Sequence, residues 1–276
     1  NISSGGTGTV STMSSGTQIV NVDGTGTVST IRAGEQQIYG GTGTVSTMKT
    51  DGYQKIYDGT GIINTMEGGD QFTQGGTAII GTMSSGQQTI NRGDTGTISA
   101  MQFGVQLIYS NGNGTVSTMS GGEQQIKNGA MGTVSTMSGG TQMVDSGGTG
   151  TVITMSSGVQ TIYSGGNGTV VTMNSGWQEI SGGTGTVSTL SGGRQNAYSG
   201  GNATVSTMMN GIQTVQEDAM GTVSTMSGGQ QSISSGGTGI VSTMSGGEQS
   251  ISVGGAGTVG VMLAGHQFVD LSLIHI

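Results

Sequence analysis

The sequence predicts an all-β fold, a single parallel β-helix (β-solenoid) of about fifteen 17–18-residue coils filling residues 1–270. Three observations predict it. One phrase recurs almost end to end, from Gly-Thr-Val10-Ser-Thr-Met13 to Gly-Ile-Val241-Ser-Thr-Met244. A β-branched residue holds one phase of that phrase in every copy, from Val10, Val28, Val45 and Ile63 to Val241 and Val259. The spacing Gly-x-Gln is kept in all fifteen copies, and the chain contains no proline. Self-similarity at one short period means stacked identical units, not a globule around one core.

The elements follow in order around one coil. The Val or Ile position opens a strand, because β-branched side chains suit a pleated, buried surface. Met stands three residues later, replaced only by Ile31 and Leu190. A step of three between two inward residues breaks strand alternation, so two short strands meet at a corner, with the Thr of Ser-Thr-Met at the bend. Glycines after Met supply a turn with positive φ. Gly-x-Gln-x-Ile then has period-2 spacing and reads as a strand on a second face, with Thr73 and Ala197 the exceptions in its Ile column. Eighteen residues are too few for a βαβ unit. One coil buries too few side chains to offset the entropy of ordering it, so each coil depends on the coils it stacks upon.

Glycine supplies 59 residues, and serine and threonine together 76. Such a composition suits disorder, but a flexible linker has no reason to keep apolar residues in phase. Charged residues are 7% of the chain, with a net charge of −8. The six basic residues, Arg32, Lys49, Lys55, Arg92, Lys127 and Arg194, lie far apart, which argues against a nucleic-acid partner. No apolar run reaches the ~20 residues of a membrane helix. The absence of cysteine fits a reducing compartment, and equally a chain exported unfolded through a narrow pore. Asn1 is not an initiator and no signal peptide precedes the repeats, so a processed or excised piece is expected. The tail at 271–276 breaks the repeat and reads as a cloning scar.

The Gln column, Gln18, Gln36, Gln54, Gln71, Gln88 and onward to Gln267, shares strand parity with the inward Ile. It is expected as a buried amide ladder, each side chain donating to the next at strand spacing. The Met column is expected as core filler. Catalytic chemistry is sparse: two histidines, His266 and His275, and fourteen scattered acids. No catalytic residue, cofactor or metal site is expected, and no enzymatic activity. Gly-Gly-Thr-Gly-Thr-Val echoes a calcium-binding nonapeptide, but valine stands where the Asp ligand is needed. Asn113, Asn167 and Asn202 begin Asn-x-Thr triplets that a repeat this rich in Asn, Gly and Thr produces by composition alone.

Hydroxyls are the richest outward chemistry. With Val inward, the following serine faces out: Ser11, Ser29, Ser46, Ser99, Ser117, Ser135, Ser188, Ser206, Ser224 and Ser242. A second set follows Met: Ser14, Ser84, Ser120, Ser138, Ser156, Ser191, Ser227 and Ser245. Both sets read as solubility and turn chemistry, or as an acceptor array for O-glycosylation. Tyr39, Tyr57, Tyr109, Tyr163 and Tyr198 stand one position past the Ile column. They form a candidate self-association stripe, although ordinary strand composition explains them as well.

The phrase Gly-Thr-Val-Ser-Thr-Met-Ser-Gly-Gly-x-Gln-x-Ile resembles the passenger repeats of self-associating autotransporter adhesins of the AIDA/TibA type, with TibA-type passengers nearest. The resemblance covers about residues 5–270. It implies a right-handed β-helix, exported by type V secretion through the periplasm and its own C-terminal outer-membrane barrel, which this chain lacks. It implies display at, or secretion from, a bacterial cell surface. Autoaggregation, biofilm formation and host-cell adhesion would follow, with other copies of the chain and the host-cell surface as partners. It further implies O-heptosylation on serine by a dedicated heptosyltransferase, matched here only by the position class of the serine columns.

Two other functions compete. Recurrent Thr-x-Thr, as at Thr7/Thr9 and Thr25/Thr27, suits an ice-binding β-solenoid, but the first Thr becomes Asn113, Met131, Asn167, Asn202, Met220 and Ala256 elsewhere. A polysaccharide-processing β-helix enzyme needs acids, Arg or Lys clustered on adjacent coils, and the sequence has no such cluster.

Overall fold

The fold is an all-β parallel solenoid of about fifteen coils, described for residues 1–270 in a computed structural model. The six-residue tail suspected as a scar lies outside the described residues. Two compact units divide the chain, Asn1–Thr141 and Gln142–Ile276.

In the first unit most coils carry a seven-residue strand and a four-residue strand, as in Thr7–Met13 with Thr17–Val20 and Asn113–Met119 with Glu123–Ile126. One element, Thr25–Met66, runs through successive corners without interruption. Stacking is parallel and in register, so like meets like: Val10 pairs with Val28, and Gln18 with Gln36. The ladder pairs Thr7 through Val10, omits Ser11, and resumes at Thr12 with Thr30. The same omission recurs between the coils of Asn113–Met119 and Met131–Met137. Pairing is therefore broken at the Ser, one residue before the expected Thr. Val and Met both point inward across it, and two polar residues absorb the corner.

The inward columns close the core. Val45, Met48, Gln54 and Ile56 are all fully buried. Each Gln side chain makes two kinds of bond at once. Gln54 Nε2 donates to Gln36 Oε1 at 2.7 Å and to the carbonyl of Gly43 at 3.1 Å. Gln71, Gln88, Gln106 and Gln124 continue the ladder at 2.6–2.8 Å. The amide thus joins coil to coil and also ties the two strands of one coil together. Its carbonyl accepts and its N–H groups donate, which removes the penalty of burying it.

The turns divide by residue. The glycine of Gly-x-Gln is left-handed in most coils, for example Gly16 at φ 83° and Gly122 at φ 79°. The turn after the Ile column also needs positive φ, and there Asp23 and Asn111 replace glycine. These are the side chains that tolerate that region best.

A different glycine is needed for space. In x-Gly-Thr-Val the φ is not positive, but a Cβ at Gly114 would stand 2.3 Å from Ile108 Cδ1. Cβ atoms at Gly43, Gly61 and Gly96 would meet Ile38, Ile56 and Ile90 at 2.1–2.4 Å. Ala78 takes this position in the one coil of this unit whose preceding Ile is Thr73. Both residues are fully buried.

The second unit repeats this construction in Thr149–Met155, Asn167–Met173, Thr184–Leu190, Asn202–Met208 and Met220–Met226 with their short partners. Its ladder runs from Gln142 to Gln267, with each Nε2 to Oε1 distance between 2.6 and 2.8 Å. Ala203 follows Ala197 here, as Ala78 follows Thr73 in the first unit. The dependence on a neighbour is visible in one column: Met244 is fully buried, whereas Met262, in the last described coil, is 46% exposed.

Candidate functional site

The outward hydroxyl columns are the candidate site. At the corner, Ser11, Ser29, Ser99 and Ser117 are exposed, and Ser46 and Ser135 half-buried, in the first unit. In the second, Ser206, Ser224 and Ser242 are exposed and Ser188 half-buried. Exposed Ile153 and Val171 fill the same corner position in two other coils, so the corner points outward whatever occupies it. Register stacking sets successive corner hydroxyls about 4.8 Å apart. No hydrogen bond to any of these ten hydroxyls is present among the described residues. Each is an unengaged nucleophile at a point where the backbone ladder is interrupted.

The second column differs. Ser14, Ser120, Ser138, Ser156, Ser227 and Ser245 are exposed, with Ser84 and Ser191 half-buried. Ser120 Oγ donates to the Met101 carbonyl at 3.3 Å, and Ser138 to Met119 at 3.4 Å. Ser227 and Ser245 do the same to Met208 and Met226 at 3.3 Å. These hydroxyls cap the preceding coil. The backbone N–H of the same serine already donates to that carbonyl, as for Ser120 at 2.9 Å, so the Oγ bond is the weaker and more easily surrendered.

A third set was missed by sequence reasoning. Ser15, Ser85, Ser157 and Ser175 sit at the tip of the first turn and are exposed. Each stands directly before a left-handed glycine, Gly16, Gly86, Gly158 or Gly176. The signal was present, since each is the residue before the glycine of Gly-x-Gln.

The tyrosines form one pair and three single sites. Tyr39 and Tyr57 lie on successive coils with ring centroids 4.6 Å apart and planes within 8°. Burial, and then the neighbouring Tyr57, raise the pKa of the Tyr39 hydroxyl. Tyr109, Tyr163 and Tyr198 have no ring stacked on them among the described residues. Asn91 and Lys127 occupy the equivalent positions on either side of Tyr109, and Ser181 lies between Tyr163 and Tyr198.

The Thr-x-Thr face is interrupted in register. Met131 pairs with Asn113 and is 57% exposed, and Met220 pairs with Asn202. Protruding thioethers break the flatness that lattice matching requires. No group of three His, Cys, Asp or Glu able to hold a metal ion is present among the described residues.

A parallel β-solenoid with columns of outward serine is the class of protein that this fold and surface define. One solved structure with the same fold is a TibC-catalyzed hyper-glycosylated TibA fragment. It matches 96% of this chain and 98% of its own length at a TM-score of 0.53 and 22% identity. Likeness at that identity is likeness of fold. No family model matches the chain, and no curated protein matches it.

Proposed function

We propose that this chain is a passenger segment of a bacterial autotransporter adhesin, displayed at or secreted from the cell surface, and an acceptor of O-linked sugar on serine. The observation that carries the reading is the corner column: ten serines across the two units, none buried, none hydrogen-bonded among the described residues, set on in-register parallel ladders. A transferase needs a free hydroxyl in a fixed, repeated setting, and this column supplies one in ten of the fifteen coils. The turn serines are a second acceptor class, once the weak bond to the Met carbonyl opens. Two supports stand beside the geometry: the likeness in fold to a glycosylated fragment, and the resemblance of the repeat phrase to self-associating passengers. On this reading the transferase is a dedicated heptosyltransferase. Type V secretion delivers the chain, and the glycosylated surface serves autoaggregation, biofilm formation and host-cell adhesion.

Intact and peptide mass of the chain from its native host, compared with recombinant chain made without accessory enzymes, tests the acceptor role. Heptose increments on peptides carrying Ser117 and Ser135 are expected only in the native material. Ser117→Ala with Ser135→Ala removes the increments that fragmentation assigns to those two residues and leaves those at Ser206 and Ser224. A native chain that is wholly unmodified yet still aggregates cells sinks the glycan part of the reading.

Self-association through protein is tested separately. Tyr39→Ser with Tyr57→Ser is expected to reduce aggregation of cells displaying the chain. The melting temperature should change little, because both rings lie outside the core columns. Unchanged aggregation removes the tyrosines from the contact.

A further inference from the structure

Residues 47–83 contain no serine, in a chain with 35 of them. The same stretch carries Lys49, Asp51, Tyr53, Lys55, Tyr57, Asp58, Glu67, Asp70 and Phe72, a density of charge and aromatic rings unlike the rest of the repeat. Two ion pairs fall on it, Lys49 with Glu67, and Lys55 with Glu35 at 2.9 Å. If serines elsewhere bear sugar, as the acceptor role proposed above requires, this window stays bare protein.

A depression of about 220 Å³ lies at the edge of the window on the outward face of the short strands, four of its six lining residues inside the window and two on the next coil. Tyr53, Lys55, Asp70, Phe72, Gln87 and Thr89 line it. Register brings them together: Tyr53 pairs with Asp70 and Lys55 with Phe72, while Asp70 pairs with Gln87 and Phe72 with Thr89 on the next coil. The two rings therefore lie diagonally across adjacent coils, with the carboxylate of Asp70 beside Tyr53 and the Lys55 ammonium 5.9 Å from the centroid of the Tyr53 ring. Tyr53 is 44% exposed. The Asp70 carboxylate has no hydrogen-bond partner among the described residues. Gln87 Nε2 donates to Thr89 Oγ1 at 2.8 Å, which fixes the amide and leaves its carbonyl oxygen available.

We propose that this depression is a binding site for one pyranose ring. The chemistry is specific to that ligand class. A pyranose presents a patch of C–H groups on one face and hydroxyls around its rim. Aromatic faces accept the first, and a carboxylate, an amide and an ammonium accept or supply the hydrogen bonds of the second. The volume suits one ring and not an oligosaccharide. A carboxylate without a donor, partly withdrawn from water, gains most when sugar hydroxyls arrive. Burial raises the pKa of Asp70, so its charged form is disfavoured in the folded chain. The folded state is therefore relatively more stable when that carboxyl is protonated at low pH, or replaced by an amide. A residue kept for ligand, and not for stability, has that signature.

Saturation-transfer NMR on the recombinant, unglycosylated full chain tests the site whether or not any serine is ever modified. The probes are the methyl pyranosides of glucose, galactose and mannose, and a methyl manno-heptoside. Transfer to the C–H protons of at least one is expected. Tyr53→Ala and Asp70→Asn should each weaken binding about tenfold. Phe103→Ala, which removes an exposed ring away from the depression, should leave it unchanged. Asp70→Asn should show that weakened binding while keeping or raising the melting temperature at neutral pH. Transfer to the heptoside alone assigns the ligand to the glycans of a second copy, and transfer to a hexoside assigns it to another surface. Absence of transfer to all four probes, or transfer that survives Tyr53→Ala, overturns the proposal.

Discussion

Gln106→Ala is expected to destabilise the solenoid by about 3–5 kcal/mol, as much as removal of a buried apolar side chain of similar size. Gln106 Nε2 donates to Gln88 Oε1 at 2.7 Å and to the Gly96 carbonyl at 3.4 Å, and its Oε1 accepts from Gln124 at 2.6 Å. Truncation therefore removes a donor from Gln88 Oε1 and from the Gly96 carbonyl in a dry interior, at about 1–3 kcal/mol each, leaves Gln124 Nε2 only its bond to the Gly114 carbonyl at 3.3 Å, and opens a void. Gln106→Glu sharpens the test. The carboxylate still accepts from Gln124 but turns an oxygen toward Gln88 Oε1, where a donor is required. Its charged form is disfavoured on folding, so its folded pKa is raised above the unfolded value. The penalty is then full at neutral pH and falls as pH drops through that raised pKa, because the protonated acid donates again. Gln125→Ala, one residue on and outward, is the control and should change stability by less than about 0.5 kcal/mol. Urea unfolding across a pH series measures all three. Equal effects of Gln106→Ala and Gln125→Ala, or no acid recovery in Gln106→Glu, contradict a ladder that carries stability.

The sequence made that ladder legible because period alone separates inward from outward. Val, Met, Gln and Ile recur at fixed phase, and a one-residue slip would expose all of them. The corner was harder to place. Ser and Thr are both polar and both lie between two inward residues, so composition does not say which one interrupts the pairing; backbone direction decides it. The hydroxyls were legible as outward but not as free or engaged. The carbonyl that Ser120 caps belongs to Met101, nineteen residues earlier, and only stacking brings it near. The depression around Tyr53, Asp70 and Phe72 was hidden for the same reason. Its residues occupy variable slots of three coils, and a search for the repeat discards those slots first. The glycines were the most ambiguous, since a glycine needed for φ and a glycine needed for space look alike in a chain with 59 of them.

The second kind of glycine gives the other large effect, through a coupling the chain already displays. Gly114→Ala alone is expected to cost about 2 kcal/mol, because its Cβ would enter the space of Ile108 Cδ1 at 2.3 Å and Cγ1 at 2.7 Å. Ile108→Ala alone is expected to cost about 2–5 kcal/mol through the cavity it opens. The double variant should lose less than the sum by about 1–2 kcal/mol, since the new methyl fills part of the new cavity. The prototype is natural. Ala197 precedes Ala203, and Thr73 precedes Ala78, so this position leaves glycine in the two coils whose preceding residue is neither Ile nor Val. Gln88 and Gln213 still donate to the carbonyls of Ala78 and Ala203 at 3.3 Å, so the Gln bond to this position survives the exchange. The reverse exchange should show the same coupling: Ala197→Ile alone drives a side chain into Ala203, and Ala203→Gly restores the room. Because coils unfold in coupled groups, hydrogen exchange of the coils flanking residue 108 is the better readout beside whole-chain unfolding. Protection there should fall in each single variant and recover partly in the double. Strictly additive losses would mean that the Ile and the glycine are placed independently. The two in-chain exceptions would then be coincidence and not a record of packing.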